Sequence, residues 1–252
     1  MAFTKRNTSG YDDALICEAQ GLDALRQALE QADVRAVRVP RVFRVSADAL
    51  VMTRIESFPP TPTTLAMLGA GLARMHRLRQ AAYGWPVGNY IGLSPQPNRE
   101  TENWGEFFVR DRLGFQVGRV ADGAVRGRFA EVLERQGERL ADWLNRHCAH
   151  PSLLHGDLWS GNALFGQDHA WLIDPAVYCG DREADLAMTE MFGGFGQAFY
   201  QAYDRVYPRT EAYPAKRDLY NLYHYLNHYN LFGRSYRPGC ERGFRRILEL
   251  VG

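Results

Sequence analysis

The stretch SLLHGDLWSGNALF, residues 152–165, followed by WLIDPA, residues 171–176, decides how this chain folds. Apolar pairs and triplets at Leu153-Leu154, Ala163–Phe165 and Trp171–Ile173 read as short strands around polar loops. The first loop holds Asp157 and Asn162, and Asp174 follows the third strand. An isolated Asn or Asp-Pro would mean only a turn. Together the three residues offer a carboxylate, an amide oxygen and a second carboxylate at successive strand ends. Phosphoryl transfer needs such a set, because it rests on positioning and charge neutralisation. One carboxylate orients the attacking hydroxyl and takes its proton. The amide oxygen and the other carboxylate suit Mg2+, a hard cation that takes oxygen ligands and keeps waters.

Size and composition restrict the alternatives. The chain has 252 residues, enough for one large domain or two lobes, and 46% of them are hydrophobic, enough for a substantial core. A net charge of +1 argues against a nucleic-acid partner held by a broad basic field. No apolar run approaches the roughly 20 residues that span a bilayer, so no membrane partner is expected. The first residues, MAFTKRNTSGYDD, lack a signal peptide's apolar stretch. Cys17, Cys148, Cys179 and Cys240 are scattered with no C-x-x-C pair, and read as reduced thiols of a cytoplasmic protein.

Working outward, residues 1–5 read as a strand ending at Lys5, 12–30 as a helix, Val34–Val45 as strand or extended, and 49–55 as a buried strand. Phe58-Pro59-Pro60-Thr61-Pro62 is the clearest linker signal. It divides a small lobe, residues 1–56, from a large lobe, 57–252. Leu65, Leu68, Leu72 and Met75 step by three and four, as on an amphipathic helix. Residues 89–98 read as a loop, and 102–118, 123–148, 183–192, 195–206, 215–232 and 238–250 as helices. The expected fold is α+β: a small lobe, a linker and a large helical lobe, with a cleft between the lobes.

Asp157 and Asn162 have the spacing of Asp and Asn in the kinase signature H-R-D-L-x-x-x-N, and Asp174 stands where D-F-G supplies its carboxylate. Trp159, D-P-A at 174–176, G-D-R-E at 180–183 and M-F-G-G-F at 191–195 make the segment resemble the fructosamine kinase (ketosamine 3-kinase) family. That family lies within the aminoglycoside phosphotransferase and choline kinase group of protein-kinase-like folds. NYIGLSPQPN at 89–98 and LYHYLNHYNLFG at 222–233 extend the likeness over nearly the whole chain.

The resemblance implies Mg2+ and ATP between the lobes. Lys5 would hold the α- and β-phosphates, and Glu18 would pair with Lys5. The hinge that includes Met52, Thr53 and Ile55 would face adenine. Asp157 would be the general base, and Asn162 and Asp174 the metal ligands. His155 and Asp185 would support the loop. Trp159, Asp181, Glu183 and Phe195 are candidate contacts to the acceptor, each with an ordinary packing or solvated alternative. The implied acceptor is the 3-hydroxyl of a fructosamine or ribulosamine, free or on a protein lysine, whose phosphorylated adduct decomposes and so reverses glycation. Residues 6–12 hold only one glycine, Gly10, and no phosphate-cradling loop. Without the two strands and glycine-rich loop that family members carry ahead of the lysine, the small-lobe sheet is expected to have an open edge. A kinase of aminoglycoside- or choline-like acceptors, and a degenerate kinase-like binding domain, stay open at this point.

Overall fold

The alternating strand β1 (Ala2–Arg6) begins a three-stranded antiparallel sheet in the computed structural model, which describes residues 1–252. Its order is β1-β4-β3, with β3 at Val42–Val45 and β4 at Ala49–Thr53, and Lys5 lies opposite Leu50. β1 pairs on one side only, and Phe3 on it is half exposed. Helix α1 (Ala14–Gln31) buries Leu15, Leu22, Leu25 and Leu29, one stripe at helical spacing. Strand β2 (Val37–Arg38) leaves this sheet and pairs in parallel with β9 (Ala170–Leu172), in a second sheet of order β2-β9-β8 with β8 at Ala163–Phe165.

The proline-rich stretch ends in a well-made helix start. Thr61 caps α2 (Pro62–His76), accepting from the Thr64 N–H at 3.2 Å while the Thr64 hydroxyl accepts from the Thr61 N–H at 3.0 Å. Pro62 at the first helical position loses nothing, because that N–H has no helical partner. Caps of this kind stabilise by about 1 kcal/mol.

Two expectations need correction here. Residues 89–98 are not a loop but a hairpin, β5 (Asn89–Ile91) and β6 (Ser94–Gln96). Its side-chain amides are buried and bonded, so polar residues occupy positions where apolar ones normally mark a strand. Residues 102–118 are not one regular helix. Helix α3 (Trp104–Phe107), a π-helical stretch at Phe108–Gly114 and α4 (Phe115–Gly118) follow one another. The π-helical stretch carries Arg112, whose buried guanidinium lies 4.0 Å over the Tyr178 ring.

Helix α5 (Gly123–His147) starts at Asp122, which accepts from the Ala124 and Val125 N–H groups. Strand β7 (Ser152–Leu154) leads into the loop that carries Asp157 and pairs with β10 (Tyr178–Gly180), a three-residue strand that its sequence does not announce. Helices α6 (Glu183–Met191), α7 (Gln197–Val206), α8 (Tyr213–Phe232) and α9 (Arg237–Val251) complete the chain. One buried core joins α1, β4, α2, β7 and α7; another joins α5, β10, α8 and α9. Leu158 belongs to the first core and Ala176 to the second, so the loops that follow β7 and β9 sit on their seam. No helix is long and apolar enough to cross a membrane.

Candidate active site

The backbone of the loop after β7 is held by one buried carboxylate. Asp185, in the first turn of α6, accepts from the His155 N–H at 2.7 Å and the Gly156 N–H at 2.9 Å. Burial pushes its pKa up, but the hydrogen bond with His76 chiefly, helped by His155 and the Gly156 N–H, holds it below the ordinary carboxylate value. The Nε2 of His76 reaches the same carboxylate at 3.3 Å, and its Nδ1 meets the Tyr203 hydroxyl at 2.9 Å. Gly156 has φ +83°, and a Cβ there would strike the Ala176 carbonyl, so the loop passes too close to the segment after Asp174 for any side chain. Burial lowers the His155 pKa, so its ring is neutral. Nε2 donates to the Ile173 carbonyl at 2.9 Å, which leaves Nδ1 to accept the Asp157 N–H at 3.3 Å. His155 thus joins the Asp157 loop to the segment entering Asp174, as a support.

The charged groups meet in one cleft of about 330 Å³. Lys5, Glu18, Asp157, Trp159, Asn162 and Asp174 all line it, drawn from β1, α1 and the two loops. The Lys5 ammonium lies 2.7 Å from Glu18 and 3.1 Å from Asp174. Burial works against that charge, but the two carboxylates outweigh it and raise the lysine pKa. Burial pushes Asp157 up to about 7, against the Asn162 hydrogen bond and with Asp174 and Asp185 adding to the rise. A carboxylate so placed is basic enough to take a hydroxyl proton near neutrality.

The donor set fits Mg2+. The amide nitrogen of Asn162 donates to the Asp157 carbonyl at 2.8 Å and to its carboxylate at 3.2 Å, which leaves the amide oxygen free as a ligand. Asp174 has φ +53°, a left-handed conformation that Asp tolerates, and its side chain is 44% exposed, so only one of its oxygens is engaged by Lys5. Two hard oxygen donors beside a solvent-filled cleft suit a cation that keeps several waters.

Other predicted residues lie elsewhere. Asp181 and Glu183, expected as acceptor contacts, instead turn their carboxylates into the protein. The Lys216 ammonium sits 2.7 Å from Asp181 and 3.0 Å from Glu183, and Tyr220 and Thr210 donate to the same two groups. Phe195 is likewise buried, its ring 5.0 Å from that of Phe199. The glycine-rich stretch before it turns the ring into the core. Met52 is buried on β4, and neither it, Thr53 nor Ile55 lines the cleft. Thr53 instead bonds Arg41, its hydroxyl accepting the Arg41 N–H at 3.2 Å. Trp159 stays at the cleft with its ring folded over Gly161, where no side chain would fit.

Sequence reasoning missed several supporting residues. Asn89 donates to the Val177 carbonyl at 2.8 Å, Gln96 to that of Ala176 at 3.1 Å, and Arg112 to that of Pro97 at 2.7 Å. Together they fasten the hairpin and the segment just after Asp174. His76, at the end of an apolar helix, gave no signal beyond being a polar residue on the buried stripe.

A family model described as fructosamine kinase matches residues 1–250. A Synechocystis protein assigned as a ketoamine kinase is 37% identical over 98% of this chain and 83% of its own length. The chloroplastic protein-ribulosamine 3-kinase of Arabidopsis thaliana is 36% identical over 94% of this chain and 73% of its own length. A crystal structure assigned as a Thermobifida fusca fructosamine-3-kinase superposes with a TM-score of 0.84 at 33% identity, covering 98% of this chain and 85% of that one. The streptomycin–ATP complex of an aminoglycoside phosphotransferase shares the fold, with a TM-score of 0.58 at 15% identity, over 99% of this chain and 85% of that one. A protein-kinase-like fold, a cleft lined by Asp157, Asn162 and Asp174, and matches along nearly the full length lead to one conclusion: this chain belongs to the fructosamine kinase family and is a phosphotransferase.

Proposed function

We propose that this protein transfers the γ-phosphate of ATP to the 3-hydroxyl of a fructosamine or ribulosamine, free or borne on a protein lysine. The observation that carries the reading is the convergence of Lys5, Glu18, Asp157, Asn162 and Asp174 on one cleft between residues 1–56 and the rest of the chain. Asp157 would orient the acceptor hydroxyl and take its proton as that oxygen bonds to the γ-phosphorus and the bond from phosphorus to the ADP oxygen breaks, with ADP leaving. Asn162 and Asp174 would hold Mg2+, which would supply charge neutralisation to the phosphates. Lys5, fixed by Glu18, would hold the α- and β-phosphates. Trp159 offers its ring to the sugar or its amine. Relatives named for ketoamines and ribulosamine support the acceptor class, and the ATP-bound structural neighbour supports the donor. Decomposition of the phosphorylated adduct makes the activity a deglycation step. The four free cysteines fit a cytoplasmic setting.

The test is an acceptor panel with Mg-ATP: ribulosamine- and fructosamine-modified lysine against an aminoglycoside and choline. Phosphate transfer to a ketosamine, and little to the others, is the expected result. Transfer only to an aminoglycoside or choline would move the protein to another acceptor. Binding of Mg-ATP, seen as a rise in Tm, with no transfer to any of them would make it a binding domain.

A further inference from the structure

The cleft does not end at Trp159. Its ring meets that of Phe192 edge-on at 6.0 Å, Phe192 meets His228 at 5.4 Å, and His228 meets Phe232 at 5.5 Å and Tyr236 at 5.0 Å. Three of these rings face solvent: Trp159 is 38% exposed, Phe192 41% and Phe232 62%. Single exposed aromatics are ordinary on a soluble protein, but a connected run of them marks a contact surface. Beyond Trp159, the strip is built by the end of α6, by α8 and by the short turn after it, which carries Tyr236. Phe192 stands at the end of α6, and His228 and Phe232 lie four apart on α8, hence on one helix face. His228 is fixed by donating from Nδ1 to the His224 carbonyl at 2.8 Å. From the other side, the hairpin tip at Gly92 and Leu93 lines the cleft and approaches α8 at Leu231, the neighbour of Phe232. Cleft and strip are therefore one continuous surface.

We infer that this strip is the docking surface for the polypeptide of a protein-bound ketosamine, and that Phe232 selects such acceptors over free ones. The inference rests on the ketosamine kinase reading. Because the strip starts on the catalytic loop, whatever lies along it is joined to the group being phosphorylated. The sugar and the lysine stem take the cleft and the first ring. Phe232 and Tyr236 lie two ring steps beyond Phe192 and are left for the chain that carries the lysine. An extended polypeptide advances about 3.3 Å per residue, so steps of 6.0, 5.4 and 5.5 Å accommodate about five residues. The strip's five rings carry no charge: burial keeps the imidazole neutral, and their other polar atoms are the Trp159 indole N–H and the Tyr236 hydroxyl. The fitting partner is thus an extended segment with an apolar or aromatic residue within a few positions of the modified lysine.

The test compares two acceptors under Mg-ATP, ribulosamine-modified lysozyme and free ribulosyl-lysine, for the full-length wild type, Phe232→Ala and Phe232→Leu. Aromatic anchors dominate contact surfaces, so the protein-to-free ratio of kcat/KM is expected to fall at least about fivefold in Phe232→Ala and to recover in part in Phe232→Leu. An unchanged ratio, whether activity holds or falls on both acceptors alike, would overturn the inference. A ratio that moves the other way would do so too. Wild type that phosphorylates neither acceptor would overturn the kinase reading and this inference with it.

Discussion

Asp157 and Lys5 face the same cleft from opposite walls, and the two walls are built to different standards. Behind Asp157, the side chains of His76, His155 and Asp185 are fully buried, and each is held by at least two hydrogen bonds. Behind Lys5 stands an edge strand of a three-stranded sheet, and the lysine side chain is 30% exposed. The Asp157 wall is therefore set before any ligand binds. The Lys5 wall is held by two ion pairs that water can reach. On the proposed mechanism, rigid placement matters most where a proton must move over a fraction of an ångström, and the lysine proposed to hold phosphate tolerates more play.

The comparison can be broken first at its buried end. Lys216 lies between Asp181 and Glu183 at the start of α6, the helix that presents Asp185. Burial alone would lower its pKa, but the two carboxylates raise it. Lys216→Met leaves Asp181 buried without a cation and Glu183 with only Arg182 at 3.5 Å, and should cost about 3–5 kcal/mol in urea unfolding. A cost below about 1 kcal/mol would show that this wall is not held as described.

Acid should loosen the same wall. Burial holds His76 and His155 below their ordinary pKa, so both are neutral in the native state. Their unfolded forms bind protons below about pH 6.5. Stability is full above that pH and falls as pH drops below it, by up to about 1.4 kcal/mol per pH unit for each histidine. Urea midpoints that stay constant from pH 7 to pH 5 would contradict the burial of these rings as neutral groups.

Smaller effects separate the walls by function. Asp185→Asn weakens the hold on the His155 and Gly156 N–H groups. It should lower kcat about tenfold or more with little change in KM for ATP, since hydrogen bonds to a charged group contribute about 1.5–3 kcal/mol. Lys5→Met should do the reverse. Its half-exposed pairs contribute less than about 1 kcal/mol to stability, while the rise in Tm on adding Mg-ATP should shrink by at least half. A KM effect in Asp185→Asn matching that in Lys5→Met would erase the distinction.

The same two walls differ in how plainly the sequence announces them. The gathering of Asp157, Asn162 and Asp174 at one cleft was legible, because they stand at the ends of short apolar strand segments. The helices were legible where apolar residues kept a period of three to four, as in α1 and α2. The hairpin at 89–96 was not, because Asn89 and Gln96 fill it with polar groups whose partners are carbonyls at Val177 and Ala176. Asp181 and Glu183 read as helix-entry charges because their partner, Lys216, lies more than thirty residues further along the chain. Long-range pairing of buried charge leaves no local pattern, and His76 and Arg112 were missed for that reason.

The most direct test of the central claim is phosphate transfer from Mg-ATP to ribulosamine-modified lysine by wild type and by Asp157→Asn. The substitution keeps the side chain's shape and removes its basicity. A loss of at least about a hundredfold in kcat, with the Mg-ATP rise in Tm retained, is the predicted result. Equal turnover by the two proteins would contradict Asp157 as the base and the account built on it.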